Sequence, residues 1–295
     1  MKHIALFAAL LLTTTLAFTG SAQPNDAQAL QQLGRDAITR GEPEKAAEYF
    51  EKAVALKPNN AEYHYQLASA YGLATNGASM FKAMSLGKKA KAGLDRAVEL
   101  DPNLMAARFA LLEFYVVAPA FAGGSESAAL EQAAEIRKRD AIDGHRALAR
   151  IHVAAKKTDL ARKEYVTMVK EQPASARAHY HYGFYLMLTE KNYKSASDEF
   201  ETALKLDPSY MPAYFQVGHA ASRGSINYAR GETMLKKYLT YRPKDDEPPA
   251  ARAHYWLGGI YEKQGKKAEA KASYAASLKI NPNQKDVQTA LKRVS

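Results

Sequence analysis

The stretch AHYWLGGIYEKQGKKAEAKASYAASLKINPN, Ala253 to Asn283, decides the fold. Apolar residues lie at helical spacing around Gly258, and Ala270 and Tyr274 follow 12 and 16 residues later. Small residues on two neighbouring helices allow their backbones to approach closely, and a bulky ring fills the space beside them. Pro282 lacks a backbone N–H donor and clashes with the preceding turn, so it ends the second helix. The stretch therefore predicts a helix–turn–helix unit.

The same order of residues recurs along the chain, which is the mark of a repeat protein. Prolines in phrases such as ALKPNN, ELDPNL and KLDPSY are separated by 44, 71, 35, 35 and 39 residues, and the interval of 71 contains two units. These prolines are Pro58, Pro102, Pro173, Pro208, Pro243 and Pro282. The small residues at the middle of the first helices are Gly34, Ala68, Ala149, Gly183, Gly218 and Gly258.

This pattern resembles the tetratricopeptide repeat, a helix–turn–helix unit of about 34 residues. The resemblance implies an all-α fold, an α-solenoid of about seven such repeats that forms a superhelix with a concave groove. We expect the repeats at 27–60, 61–104, 105–141, 142–175, 176–210, 211–248 and 249–284, followed by a C-terminal tail at 285–295. The third and sixth repeats match least well, because Leu112 and Gly231 replace the expected small residue and alanine.

The N-terminus has the pattern of an export signal, so we expect residues 1–22 to be a cleaved signal peptide and 23–295 to be the solenoid. An apolar run from Ile4 to Phe18 is followed by Gly20 and Ala22, small residues spaced for cleavage. The run is shorter than the roughly 20 residues of a membrane-spanning helix, and no later segment is apolar enough to span a bilayer. The chain has no cysteine, which excludes a lipoprotein anchor, disulfides and cysteine-ligated zinc. We therefore predict an exported, periplasmic protein.

The charge of the chain indicates classes of partner. Loss of Lys2 with the signal segment lowers the formal net charge from +10 to +9. Such a balance favours acidic proteins, glycans or anionic lipid surfaces. Nucleic acid would also fit the charge, but export argues against it.

Four histidines share one position in their repeats, four residues before the small residue: His64, His145, His179 and His254. They are a repeat apart, so we expect them to pack rather than to bind a metal. His179 and His181 are two residues apart and point about 200° from each other on a helix, which does not suit a pair of metal ligands. We predict no metal and no cofactor, and we leave His181 unexplained.

Signatures of catalysis are absent from the sequence. It contains no H-E-x-x-H motif, and GIYEKQGKK (residues 259–267) lacks the spacing and the hydroxyl residue of a phosphate-binding loop. The repeats also occupy almost the whole chain, which leaves no room for a catalytic domain. We therefore predict that the protein is not an enzyme and has no catalytic residues.

The first helices carry a ladder of aromatic and basic residues at fixed positions around the small residue. Aromatic rings and arginines are the side chains that contribute most to protein interfaces. The resemblance implies that these positions face the concave groove, although the lysine–asparagine clamp of many such proteins is absent. The candidate groove residues are Tyr65, Phe109, Arg146, Arg150, Arg177, Tyr180, Phe184, Phe215, His219, Arg252 and Tyr255.

These observations favour an exported scaffold that binds a protein or peptide partner in the bacterial cell envelope. Three alternatives stay open. The rings could pack inside the solenoid, or stack on the sugars of peptidoglycan or an envelope polysaccharide. Binding could also lie on two insertions, 72–93 and 116–127. The first contains Met80, Phe81 and Met84 as a possible apolar surface, with four lysines that would suit a solvated helix face. Together the insertions resemble those of a group of exported bacterial tetratricopeptide repeat proteins, which adds no expected activity.

Overall fold

The computed structural model describes residues 26–244 and 247–295, which form 15 α-helices, one 3-10 turn and no strand. The expected signal peptide at 1–22 lies outside the described residues. No helix within them is both long enough and apolar enough to cross a membrane. The helices are α1 (Ala27–Thr39), α2 (Pro43–Leu56), α3 (Ala61–Ala74), α4 (Met80–Leu100), α5 (Met105–Val117), α6 (Glu126–Arg139), α7 (Ala141–Ala154), α8 (Thr158–Glu171), α9 (Ala176–Leu188), α10 (Tyr193–Leu206), α11 (Met211–Gly224), α12 (Tyr228–Tyr238), α13 (Ala250–Lys263), α14 (Lys267–Ile280) and α15 (Lys285–Val294).

The chain divides into two compact units, Met1–Ala107 and Arg108–Ser295. In the first unit α1 packs on α2, α2 on α3 and α3 on α4. In the second unit the helices from α6 to α15 also pack in series, each on the next along the chain. First helices of neighbouring repeats contact each other as well, α7 with α9, α9 with α11 and α11 with α13. The predicted all-α class, built from helix–turn–helix repeats, is confirmed.

Close contact between a small residue and a ring holds several of the helix pairs together, as the sequence predicts. A Cβ placed on Gly34 would lie 2.5 Å from Cε1 of Phe50, and one on Gly258 would lie 2.5 Å from Cε1 of Tyr274. Both distances are far below van der Waals contact, so only glycine allows the ring to lie against the helix backbone. Phe50 and Tyr274 are buried at these positions.

Two repeats reach the same packing with one residue more between the helices. Ala196 and Phe200 are 13 and 17 residues after Gly183, and a Cβ on this glycine would lie 2.8 Å from the Phe200 ring. In the next repeat the side chain of Leu235 lies against Gly218 in place of a ring. The 12-residue spacing seen in the opening stretch therefore did not predict Phe200 or Leu235 as core residues.

Side-chain caps and prolines fix the ends of many helices. Asn60, Ser125, Asp140 and Ser175 each accept a hydrogen bond from the backbone N–H three residues further on, which satisfies one of the free donors at a helix start. The second helices α2, α4, α8, α10 and α14 end two residues before a proline.

The two insertions have different structures. In the first unit a short turn leads to Ser79 and then to α4, whose 21 residues make it the longest helix described. In the second unit the insertion after α5 contains the 3-10 turn Ala120–Ala122 and then the loop that leads to α6. A Cβ on Gly124 would lie 1.8 Å from the carbonyl oxygen of Ala118, so this loop requires glycine there.

Residues 285–295, which the sequence predicts to be a C-terminal tail, contain α15. This helix buries Val287, Ala290 and Val294 and packs on α14. Apart from Leu291, which also packs on this core, its remaining residues are polar, so α15 covers the apolar side of the last repeat and presents a polar surface to solvent.

We predict that Gly34→Ala destabilises the protein, because the added methyl group overlaps the buried Phe50 ring. The free energy of unfolding should fall by about 1–3 kcal/mol, the usual cost of overpacking a core. Urea denaturation followed by far-ultraviolet circular dichroism measures this change.

Gly72→Ala is the matched control, because Gly72 lies in a helix of the same unit and a Cβ there meets no atom within 4 Å. It should leave stability unchanged or raise it by up to ~1 kcal/mol through helix propensity. Equal stability of the two variants would contradict the packing described here.

Candidate functional site

The candidate groove residues all lie on first helices. Tyr65, on α3, belongs to the Met1–Ala107 unit and is half-buried. The others belong to the Arg108–Ser295 unit, where they lie on α5, α7, α9, α11 and α13. The structure brings those in the second unit together in three groups along consecutive first helices.

In the first group, arginines of α7 are paired with nearby acidic residues. The guanidinium of Arg146 lies 5.3 Å from the centre of the Phe109 ring, and its Nη1 donates to Oδ1 of Asp143 at 2.6 Å. Arg150 donates to both carboxylate oxygens of Glu113, at 2.5 and 2.8 Å. The contact of Arg150 with Glu113 connects α7 to α5.

Arg177, on α9, continues this group of ion pairs. Its guanidinium donates to Asp140 and lies 3.4 Å from Asp143, so it shares the latter carboxylate with Arg146. Arg177 therefore joins the start of α9 to the start of α7.

The second group surrounds a pocket of about 690 Å³. Its walls include the rings of Tyr180 and Phe184 from α9, Tyr210 from the start of α11, and Tyr241 from the segment after α12. The Tyr180 ring centre lies 5.2 Å from that of Tyr210 and 6.2 Å from that of Phe184. Arg146 reaches the same pocket from α7, so aromatic surface and a cation meet there.

His181 lies in the wall of this pocket, which accounts for its place outside the packing position of the other histidines. Its ring centre is 5.4 Å from that of Tyr180. Burial, and then the charges of Arg146 and Arg177, lower the pKa of His181 to about 2. The ring is therefore neutral near pH 7, and it lies in the positive potential of the two arginines.

The third group is a stack formed by α11 and α13. The rings of His219 and Trp256 are nearly parallel, with centres 4.1 Å apart. The guanidinium of Arg252 lies over Tyr255 at 4.5 Å and over Trp256 at 5.1 Å. We call the face carrying Tyr180, Phe184, His219, Arg252 and Tyr255 the aromatic face.

Phe215 differs from the other aromatic candidates because it is only 5% exposed. Its ring centre lies 5.4 Å from that of Tyr238 in the core of the second unit. Phe215 therefore packs inside the solenoid, which was one of the alternatives for the aromatic residues. It has almost no exposed surface that a partner could contact.

Three of the histidines at the shared position have structural partners. Nδ1 and Nε2 of His145 lie 2.7 and 3.1 Å from carboxylate oxygens of Glu164 and Glu171, both on α8. His179 bonds in the same way to Glu199, at 2.6 Å, and to the carbonyl oxygen of Pro173. His64 bonds to the carbonyl oxygen of Pro58.

These bonds fix first helices to second helices or to the preceding turn, as expected of packing residues. Within the described part of the chain, no group of three or more histidine and acidic side chains could hold a metal ion.

Sequence reasoning missed several residues of this site. Tyr210 precedes its helix, Tyr241 lies in an irregular segment, and Trp256 follows the ladder position by one residue. A possible signal was the unusual density of aromatic residues in 180–185 and 255–256.

Comparison with known families and structures supports the fold. A family model described as Tetratricopeptide repeat matches residues 27–60 and 251–284, and a second model with that description matches 146–211. A search of curated proteins gave no significant match.

Three solved structures that were found by comparison have low sequence identity to this chain. The human IFIT1 dimer with m7Gppp-AAAA has a TM-score of 0.51 and 18% identity, covering 91% of this chain and 63% of that one. A tetratricopeptide repeat protein from Parabacteroides merdae has a TM-score of 0.48 and 14% identity, covering 91% and 98%. YrrB, described as a TPR protein with an unusual peptide-binding site, has a TM-score of 0.42 and 15% identity, covering 83% and 99%.

We predict that His219 weakens the protein in mild acid. Burial, and then the charges of Arg223 and Arg252, lower the pKa of His219 from 6.5 to about 4. Between these two values the unfolded chain binds a proton that the folded chain does not, so stability falls as the pH drops from 6.5 towards 4. Above pH 6.5 the histidine has no such effect.

Proton NMR of the histidine rings should show one resonance that titrates near pH 4 and is missing in His219→Gln. In urea denaturation the same variant should lose stability less steeply over this range than the wild type does. A His219 ring that titrates near its ordinary value would show that the stack with Trp256 is open to water.

Proposed function

The chain is a tetratricopeptide repeat protein, and we propose that it binds an extended segment of a protein partner along its aromatic face. Tetratricopeptide repeats typically act as non-catalytic scaffolds that bind protein or peptide partners. The observation that carries the proposal is the pocket of about 690 Å³ on this face, where aromatic rings and Arg146 meet.

The size and lining of the pocket suit a few side chains of a peptide. Pockets that bind small ligands usually have volumes of about 300–1,000 Å³, so this one is too small for a folded domain. The rings of Tyr180 and Phe184 are held by neighbouring rings, and rigid aromatic side chains give large contact area at low cost in conformational entropy. We infer that one or two anchor residues of the partner enter here.

The sequence supports a cellular location and a class of partner. The pattern at 1–22 supports export to the periplasm, and we propose that the partner lies in the cell envelope. The charge of +9 after loss of the signal segment favours an acidic partner. In this proposal the protein has no catalytic activity and needs no cofactor.

A protein partner accounts for the aromatic face better than a glycan does. Sugars stack on open, flat aromatic faces, but His219 and Arg252 already lie against the ring of Trp256. Arg252 also covers Tyr255. Phe184 is the candidate ring that is most open to solvent on the aromatic face, at 38% exposed.

The test is selection of peptide ligands from a displayed random library, followed by measurement of their affinity. Phe184→Ala should weaken the selected peptides by about tenfold or more, because a central aromatic anchor contributes roughly 1–2 kcal/mol to binding. Since Phe184 is an exposed residue, the variant should fold normally, which circular dichroism checks.

Phe121→Ala is the matched control, because Phe121 is a 75% exposed phenylalanine on the insertion that follows α5. It should leave affinity unchanged. If Phe121→Ala weakens peptide binding and Phe184→Ala does not, the binding site lies on the insertion. If neither variant changes the affinity of the peptides, the aromatic face is ruled out as the binding site. Saturable binding of peptidoglycan fragments that Phe184→Ala removes would favour the glycan alternative.

A further inference from the structure

The start of α4, in the Met1–Ala107 unit, presents large apolar side chains to solvent. Phe81 is 85% exposed and Met80 is 72% exposed, directly after Ser79 at the helix start. Leu73, near the end of α3, is also exposed. These residues lie on the first insertion and play no part in the aromatic face. Adjoining exposed apolar side chains, such as the consecutive Met80 and Phe81, mark an interaction surface.

The same segment is basic. Residues 80–94 contain Lys82, Lys88, Lys89 and Lys91 and no acidic residue. Lys88 is exposed and lies seven residues after Phe81, which places both on one side of the helix. The amine of Lys89 is 5.0 Å from the centre of the Tyr71 ring. Neither Lys88 nor Lys89 forms an ion pair with an acidic residue in the part of the chain that the structure describes.

Two of these lysines do have acidic neighbours. Lys82 lies 2.5 Å from Glu44 of α2, and Lys91 lies 2.7 Å from Asp95, one turn further along α4. The uncompensated positive charge near Phe81 therefore comes chiefly from Lys88 and Lys89.

The small size of the apolar surface at the start of α4 favours a lipid partner over a protein partner. A stable protein interface buries about 800 Å² on each side and uses roughly 20–30 residues, with charge depleted at its centre. The exposed apolar residues here are few and lie beside lysines. A membrane surface needs only one or two inserted side chains, with lysines whose amines reach the anionic headgroups.

We infer that the start of α4 docks on an anionic lipid surface. Phe81 and Met80 enter the boundary between headgroups and acyl chains, and Lys88 and Lys89 contact the anionic headgroups. The inference does not depend on the proposed binding of a peptide to the aromatic face, because that face belongs to the other unit. Membrane docking would place the protein at the surface where envelope partners occur.

The test uses the chain from residue 23 onward and two kinds of vesicle, phosphatidylcholine alone and phosphatidylcholine mixed with phosphatidylglycerol. Sedimentation should show binding to the anionic vesicles only, and binding should weaken as salt is added. Phe81→Ala should lower the partition coefficient by about tenfold, as expected from the loss of one inserted aromatic side chain. Lys88→Glu with Lys89→Glu should lower it by more than about tenfold.

Two control variants test whether vesicle binding depends on the start of α4 itself or only on the net charge and exposed apolar residues of the unit. Lys45→Glu with Lys57→Glu changes the net charge equally in the same unit, at exposed positions on α2 and directly after it. Leu56→Ala removes an exposed apolar side chain at the end of α2. Both variants should bind anionic vesicles like the wild type.

The inference is overturned if the wild type binds neither kind of vesicle. It is overturned as well if charge reversal at Lys45 and Lys57 lowers vesicle binding as much as charge reversal at Lys88 and Lys89. It is also overturned if Phe81→Ala binds vesicles normally. Sedimentation velocity without lipid gives a further check. If the wild type does not bind vesicles but self-associates, and Phe81→Ala abolishes the self-association, the surface is an interface with a second copy of the chain. Peptide affinity at the aromatic face should be the same in all these variants, so failure of one proposal leaves the other testable.

Discussion

The absence of a side chain at one position of a first helix is the constraint on which much of the structure depends. Gly34, Gly183 and Gly258 each let a ring of the second helix lie against the first-helix backbone, where even a methyl group would overlap it. Gly218 does the same for Leu235. This contact sets the distance and rotation between the helices of a pair. It thereby fixes where the neighbouring residues of the first helix lie.

The positions beside this glycine carry rings of the aromatic face. Tyr180 lies one helical turn before Gly183 and Phe184 follows it directly, so the packing of Gly183 on Phe200 sets where both rings lie on α9. Polar contacts then hold neighbouring elements, with His145 and His179 bonded to glutamates of the second helices. Exposed ion pairs contribute little stability each, so the main contribution comes from the buried contacts between helices. The charges of Arg146 and Arg177 instead shape the potential around the pocket and, after burial, add to the lowering of the pKa of His181.

Much of the fold could be predicted because the pattern is local. Helix periodicity, the small residue and the proline lie within one unit, and they identified the helix pairs. The prediction was weaker where the turn had an extra residue, since the spacing no longer pointed to Phe200 or Leu235. The ladder positions identified the correct helices, but not the burial of each ring. Phe215 holds the same position in its repeat as Tyr180, yet it is buried against Tyr238.

The sequence by itself determined that the chain forms helix–turn–helix repeats, because contacts within a pair join residues close in the chain. It also indicated the packing role of three of the four histidines at the shared position, and the basic, apolar start of α4. Only the tertiary structure decided that Arg146, Tyr180, His181 and Tyr241 line one pocket. These residues come from α7, α9 and the segment after α12, and their meeting depends on how successive repeats stack. The repeated pattern does not predict that stacking, because the order of the small residue, the bulky side chain and the proline is the same in a repeat whatever side chains the neighbouring repeats carry.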